Sequence, residues 1–167
     1  ADYHPRDGKR AGAWMAPVRS RSLTRAWGVD LPIINIVCNF TKPVGDKPAL
    51  LTFEEVETLF HEFGHGLHQL LGRVDYPSIS GTSVLWDFVE LPSQIMENWL
   101  GEAETLALFA QHYETGEALP QKYIDAIRES RNFMAGWFYM RQMSLGALDM
   151  GWHTTAPDRI EDVIAQE

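Results

Sequence analysis

The chain has 167 residues, of which 45% are hydrophobic and 22% are charged, a composition that is ordinary for a globular protein. Its 14 basic and 23 acidic residues give a formal net charge of −9. This charge argues against binding of nucleic acid and against an anionic membrane surface. The longest mostly apolar stretch, residues 31–40, is too short to cross a bilayer. Neither nucleic acid nor a membrane is therefore expected as a partner.

The N-terminal residues and the cysteine content together predict where the protein is located. Residues 1–10 are polar and charged, which does not resemble a secretory signal. The one cysteine, Cys38, cannot form an intrachain disulfide, which favours a reducing compartment. We therefore expect the protein to be cytoplasmic.

The N-terminal part is predicted to contain a small sheet. The first 30 residues are rich in glycine, proline and arginine, which predicts loop with one short strand over Ala13–Val18. Ile33–Phe40 is β-branched and aromatic, and predicts a second strand. Thr41–Pro48 holds two prolines and a glycine, which is typical of a turn.

The clearest helix is predicted over Thr52–Leu71. Thr52 and Glu55 have the spacing of a capping box, and Gly72 is typical of a C-terminal cap. Apolar residues recur between these ends at three- or four-residue spacing, the pattern of one helical face. They are Val56, Leu59, Phe60, Phe63, Leu67, Leu70 and Leu71.

The rest of the chain is predicted to be mainly helical. An irregular segment, 73–85, comes first, and Pro92 then makes the next helix either begin at Leu91 or kink. The fold class is therefore mainly α with a small β-sheet, in a single domain over residues 1–167. The segments with a helical period are Asp87–Leu100, Glu102–Tyr113, Gln121–Met150 and Asp158–Gln166, with a turn over Gly116–Pro120.

A metal-binding motif lies in the helix Thr52–Leu71. Residues 61–65 read H-E-x-x-H, which chance would place about 0.02 times in a chain of this composition. Four residues turn a helix by about 400°, so the imidazoles of His61 and His65 point about 40° apart and can converge on one ion. Glu62 can reach a water held by that ion. Two imidazoles, a carboxylate and an open fourth position suit Zn²⁺.

Spacing alone leaves the third ligand open. The downstream candidates are Glu90, Glu97, Glu102 and Glu104. Glu90 stands at the start of the next helical pattern, but Asp87 and Glu90 also have a capping relation. Glu97 lies two turns further on the same face, where it either holds an imidazole in one tautomer or is a surface charge.

Four neighbours of the motif carry weaker signals. His68 lies about 10.5 Å along the helix axis from His61, too far to share an ion, because two Zn–N bonds span only about 4 Å. Packing or hydrogen bonding is therefore predicted for it. Glu57, one turn before His61, either orients that histidine or matches the helix dipole. Gly64 and Gly66 weaken the helix, which indicates either room for substrate or close helix packing.

Longer segments resemble a known family in order along nearly the whole chain. They resemble the thimet oligopeptidase family of zinc peptidases, and they are far more specific than the bare H-E-x-x-H motif. The segments are Phe60–His68, Trp86–Gln94 and Glu97–Trp99, together with Gly8–Met15, Val37–Phe40, His112–Gly116 and Arg141–Gln142.

The resemblance implies a set of roles. It implies that His61, His65 and Glu90 bind Zn²⁺ and that Glu62 is the general base, in a largely helical, zincin-like fold around a deep channel. Glu97 and Glu57 are then expected to support the ligands from outside. The substrates are expected to be short peptides. Family members are several times longer, and their oxyanion-stabilising residues follow the segment matched here, so we expect a partial catalytic core with weak or no activity alone.

A second class of protein stays open at this point. A non-catalytic zinc-binding or interaction domain would have a structural ion, closed by four protein ligands such as His68 or Cys38 in addition to the others. Self-association through uncovered apolar surface is a further expectation about partners.

Overall fold

A computed structural model describes residues 1–24, 28–160 and 163. It groups the chain into two compact units, Ala1–Leu119 and Pro120–Glu167. Helices account for most of the regular structure, and the strands form two small antiparallel pairs, so the prediction of a mainly α chain with a small sheet is confirmed. In the described part of the chain, no helix combines the length and apolar character that a membrane span requires.

Four short strands open the first unit. The strand β1 (Trp14–Arg19) pairs antiparallel with β4 (Ile33–Val37), and β2 (Ser22–Thr24) pairs antiparallel with β3 (Gly28–Asp30). The predicted strands at 13–18 and 33–40 are thus confirmed, although β4 ends three residues early. The prediction of loop was wrong for β2 and β3, because strands of three residues are too short to show an alternating pattern.

The core of the first unit contains every second residue at the end of β4 and just beyond it. Ile36, Cys38 and Phe40 are buried together. The N–H groups of Cys38 and Phe40 donate to the carbonyls of Asp2 and Tyr3, at 2.8 Å each. The N-terminal segment therefore covers the free edge of this strand and keeps it in place.

Cys38 is expected to be unreactive in the folded protein. Its side chain is fully buried, and burial, assisted by the Glu62 carboxylate, raises the pKa of its thiol from 9.0 to about 11. Only the thiolate attacks disulfide reagents, so at about pH 8 the reactive fraction falls roughly 100-fold. We expect DTNB to label the native chain at least that much more slowly than the chain in guanidinium chloride. Equal labelling rates would contradict this placement.

The helix α1 spans Phe53–Leu71 and carries the metal-binding motif. Thr52 caps it as predicted: its hydroxyl accepts from the Glu55 N–H at 3.2 Å, and the Glu55 carboxylate accepts from the Thr52 N–H at 2.9 Å. The same carboxylate accepts from the Thr41 N–H at 2.7 Å, which ties the preceding turn to the helix. The start of α1 is therefore fixed by polar contacts on both sides.

The two glycines of α1 lie at close packing contacts. A Cβ on Gly64 would stand 2.6 Å from the backbone of Pro92 and of Ser93, and a Cβ on Gly66 would stand 2.7 Å from the terminal methyl of Ile34. Of the two sequence interpretations, these contacts favour close packing at both positions. Gly64 lets the following helix approach, and Gly66 lets β4 approach.

The segment after α1 is more broken than predicted. A single helix over 87–100 is wrong: α2 (Trp86–Val89) ends before Glu90, α3 spans Leu91–Glu97, and one 3₁₀ turn follows. Pro92 explains the break, because it fits the first turn of a helix, where its missing N–H is not needed. The alternative start at Leu91 is therefore correct. The next helix, α4, spans Ala103–Phe109 and is shorter than predicted.

The second unit consists of α5 (Gln121–Ser130) and α6 (Ala135–Thr154). One continuous helix over 121–150 was therefore wrong, since the chain turns between them and Met134 adopts a left-handed φ of 57°. The predicted helix 158–166 lies mostly outside the described residues. The helix α6 exposes several large apolar side chains, and self-association through them stays a prediction. They include Trp137, Phe138, Tyr139, Met140 and Met143.

Candidate metal centre

Two helices bring three potential metal ligands together. His61 and His65 lie one turn apart on α1, and Glu90 enters at the junction of α2 and α3. The Nε2 atoms of both imidazoles are 3.1 Å from Oε2 of Glu90. The potential ligand atoms of all three residues lie within 4.8 Å of one another. The close approach of α3 to Gly64 is what carries Glu90 to this point.

The donor set fits a zinc ion. Two neutral imidazole nitrogens and one carboxylate oxygen are the ligands of many catalytic zinc sites. Ligand atoms around a tetrahedral zinc ion stand about 3.3 Å apart, close to the observed 3.1 Å separations. Burial also lowers the pKa of His65, against the opposing effect of Glu90, which favours the neutral form that binds metal.

Glu97 supports one of the imidazoles. Its Oε1 is 2.6 Å from Nδ1 of His61, so Nδ1 donates its proton there, and a neutral His61 has its lone pair on Nε2, the atom that faces Glu90. This is the contact expected of a carboxylate that fixes the tautomer of a metal ligand. Glu57 lines the same hollow as His61 and Glu97. Its supporting role stays a prediction.

Glu62 is a buried carboxylate at the floor of the site. Its side chain is only 6% exposed, and burial raises its pKa. The charge of Glu90 raises it further, whereas His61 and the backbone N–H of Met15 lower it. One oxygen, Oε2, is buried without a hydrogen-bond partner. A carboxylate so placed has an increased proton affinity, and one of its oxygens has no hydrogen-bond partner among the described residues.

The remaining candidates lie outside this cluster. The ring of His68 packs edge-on against Phe88, 5.9 Å between ring centres, and Cys38 is in the hydrophobic core. Glu102 and Glu104 flank the start of α4. Among the described residues, only His61, His65 and Glu90 form a group that could hold a metal ion. The four-ligand closure of a structural zinc site therefore has no counterpart in that part of the chain.

One polar residue of the site has no role that the sequence assigns. The Ser93 side chain is fully buried, and its hydroxyl is 2.8 Å from Oε2 of Glu90. The sequence feature that could have indicated this contact is the three-residue spacing between Glu90 and Ser93, because a serine hydroxyl commonly bonds to the preceding turn of its own helix.

An open hollow of about 360 Å³ adjoins the metal-binding cluster. The beginning of β1, with Trp14 and Met15, forms one wall, and Thr82 and Val89 form another, with the ligands and Glu62 between them. A helix that bears H-E-x-x-H and faces a glutamate from a second helix is the centre of a metallopeptidase.

Comparison with known proteins agrees with this class. Residues 1–166 match Peptidase family M3, and the chain belongs to that family. The resemblance that the sequence motifs indicated is thus confirmed. Its description identifies the members of the family as peptidases.

Individual relatives are similar over most of this chain. Oligopeptidase A of Haemophilus influenzae is 45% identical over 155 residues, which cover 92% of this chain and 23% of the relative. The organellar oligopeptidase A of Arabidopsis thaliana is 48% identical over 163 residues (93% and 21%). The dipeptidyl carboxypeptidase of Escherichia coli is 42% identical over 153 residues (91% and 22%). The chain thus spans less than a quarter of the length of these relatives.

Proposed function

We propose that residues 1–167 form a single partial catalytic domain, the zincin-like core of a zinc peptidase that hydrolyses short peptides. The observation that carries this proposal is the convergence of His61, His65 and Glu90 beside the buried carboxylate of Glu62. Membership of a peptidase family supports the reaction. Relatives named oligopeptidase A support short peptides as substrates.

The residues of the site have separate tasks in the proposed reaction. His61, His65 and Glu90 hold the zinc ion, which when bound acts as a Lewis acid and makes water acidic enough to react near neutral pH. Glu62 takes a proton from the attacking water and returns it to the leaving amine. Glu97 holds the Nδ1 proton of His61, so that this imidazole keeps its Nε2 lone pair for the metal.

Two further parts of the proposal concern context. We expect weak turnover by these 167 residues alone, because the resemblance assigns the oxyanion donors to a later segment of longer family members, and one such donor contributes about 10²–10³ in rate. We also keep the cytoplasm as the proposed location. Among the relatives, one is named a probable cytosolic oligopeptidase A, and another is named a chloroplastic or mitochondrial one.

Replacing Glu62 with glutamine tests the proposed division of tasks. Glutamine keeps the size of the side chain but cannot accept the proton, so we expect the weak hydrolysis of a fluorogenic short peptide by this chain to fall by about 10²–10⁴, toward the rate without protein. Zinc content, measured by elemental analysis, should stay at one ion per chain. Glu104→Gln, on α4, is the matched control and should change neither quantity.

Two results would overturn the role of Glu62. Loss of zinc in Glu62→Gln would make this residue a ligand instead of a base. An unchanged rate of hydrolysis with zinc retained would place the proton transfer elsewhere.

A further inference from the structure

We infer that Ser93 is a positioning residue for the third metal ligand, and that its hydroxyl holds Glu90 in the orientation that zinc binding requires. This inference rests on the proposed zinc site. The hydroxyl lies 2.8 Å from Oε2 of Glu90 and 2.9 Å from the backbone carbonyl of the same residue. Oε2 is the same oxygen that lies 3.1 Å from the Nε2 atoms of His61 and His65.

Glu90 depends on such a support more than the two histidines do, because it is the most exposed of the three. Its side chain is 49% exposed, whereas that of His65 is 10% exposed. A half-exposed glutamate has several rotamers available to it. Metal binding must then order that side chain, and the loss of conformational entropy weakens the affinity for the metal. A hydroxyl already bonded to Oε2 reduces this cost before the metal arrives.

The choice of acceptor also favours a role at Glu90. A serine hydroxyl has one proton and can donate it to the carbonyl or to the carboxylate oxygen. A bond to an ionised carboxylate is roughly twice as strong as a bond between neutral groups. The proton therefore lies mainly toward Oε2. Because the Ser93 hydroxyl is fully buried, water does not compete for it.

A purely structural role for Ser93 makes a different prediction. Ser93 lies where α3 crosses α1, and its Cα is 2.6 Å from the position of a Cβ on Gly64. This crossing requires a small residue at 93, and alanine is as small as serine. If size were the only requirement, Ser93→Ala would leave the site unchanged.

The test measures zinc affinity by competition with a chelator, together with the absorption spectrum of the cobalt-substituted chain. Ser93→Ala should weaken zinc binding by about 10–100-fold, as expected for the loss of a partner of a metal ligand, and should alter the cobalt bands. The matched control is Ser144→Ala, which removes a similar hydroxyl-to-carbonyl bond, here to Arg141, on α6. It should change neither measurement.

Two additional variants decide where the effect arises. In a Glu90→Ala background, Ser93→Ala should weaken the residual zinc binding no further. Ser93→Gly also fits the crossing with α1 and lacks the hydroxyl, so it should weaken zinc binding to a similar extent and carries the test if Ser93→Ala does not fold. Unaltered affinity and cobalt spectrum in either folded variant would overturn the inference. Absence of zinc binding by the unaltered chain would instead overturn the proposed function.

Discussion

Replacing Glu90 with alanine should remove stoichiometric zinc from the chain. Glu90 supplies the only carboxylate oxygen in the described three-residue cluster, so its loss leaves two imidazoles. We expect zinc affinity to fall by more than the roughly 10–100-fold typical of a supporting residue. Elemental analysis after gel filtration measures the content, and chelator competition measures the affinity.

Glu97→Ala is the informative companion to this variant. Glu97 contacts Nδ1 of His61 at 2.6 Å but does not belong to the three-residue cluster. We therefore expect zinc to be retained, at about 10–100-fold weaker affinity. Full zinc occupancy in Glu90→Ala, or a larger loss of zinc affinity in Glu97→Ala than in Glu90→Ala, would mean that Glu97 is the ligand and Glu90 the supporting residue.

Thermal unfolding compares zinc binding by the same variants without a measurement of zinc content. A ligand that binds only the folded state stabilises it by about 2.7 kcal/mol when present at 100 times its dissociation constant. Added zinc should therefore raise the Tm of the unaltered chain clearly, and that of Glu97→Ala less. The Tm of Glu90→Ala should barely respond. Circular dichroism of the metal-free chains checks that each variant has folded.

The sequence predicted the first two ligands because they belong to one helix. The period of 3.6 residues fixes the relation of His61 to His65 before any tertiary structure is known. Glu90 comes from a separate helix, and the angle at which two helices cross is not encoded in spacing. Family resemblance, and then the three-dimensional arrangement, were needed to distinguish it from Glu97.

The errors in the predicted elements have similar causes. The long helix α1 has a capping box and a clear apolar face, and both its ends were predicted correctly. The strands β2 and β3 have three residues each, too few for a recognisable period. The break at Glu90 depended on whether Pro92 begins a helix or bends one, and either is compatible with the residues themselves.

The contact between α1 and α3 yields the prediction with the largest expected structural effect. A Cβ on Gly64 would lie 2.6 Å from the carbonyl oxygen of Pro92 and from Cα of Ser93, where ordinary contacts begin at 3.4 Å. Both atoms belong to the backbone of α3, so relief requires movement of the helix itself. Since Glu90 immediately precedes α3, such a movement also carries the third ligand away from His61 and His65.

Gly64→Ala should therefore reduce both stability and zinc affinity. Alanine stabilises a helix relative to glycine by about 0.8–1.0 kcal/mol, but overpacking typically costs about 1–3 kcal/mol. Because relief of the contact requires movement of the backbone, we expect the cost of overpacking to exceed the gain in helix stability. Gly66→Ala is the matched control: its new Cβ would clash only with the terminal methyl of Ile34, which can rotate aside, and would lie at an ordinary 3.8 Å from that of Ile36. Urea unfolding of the metal-free chains and chelator competition for zinc measure the two effects. Equal results for the two variants would mean that the helix crossing at Gly64 does not set the position of Glu90.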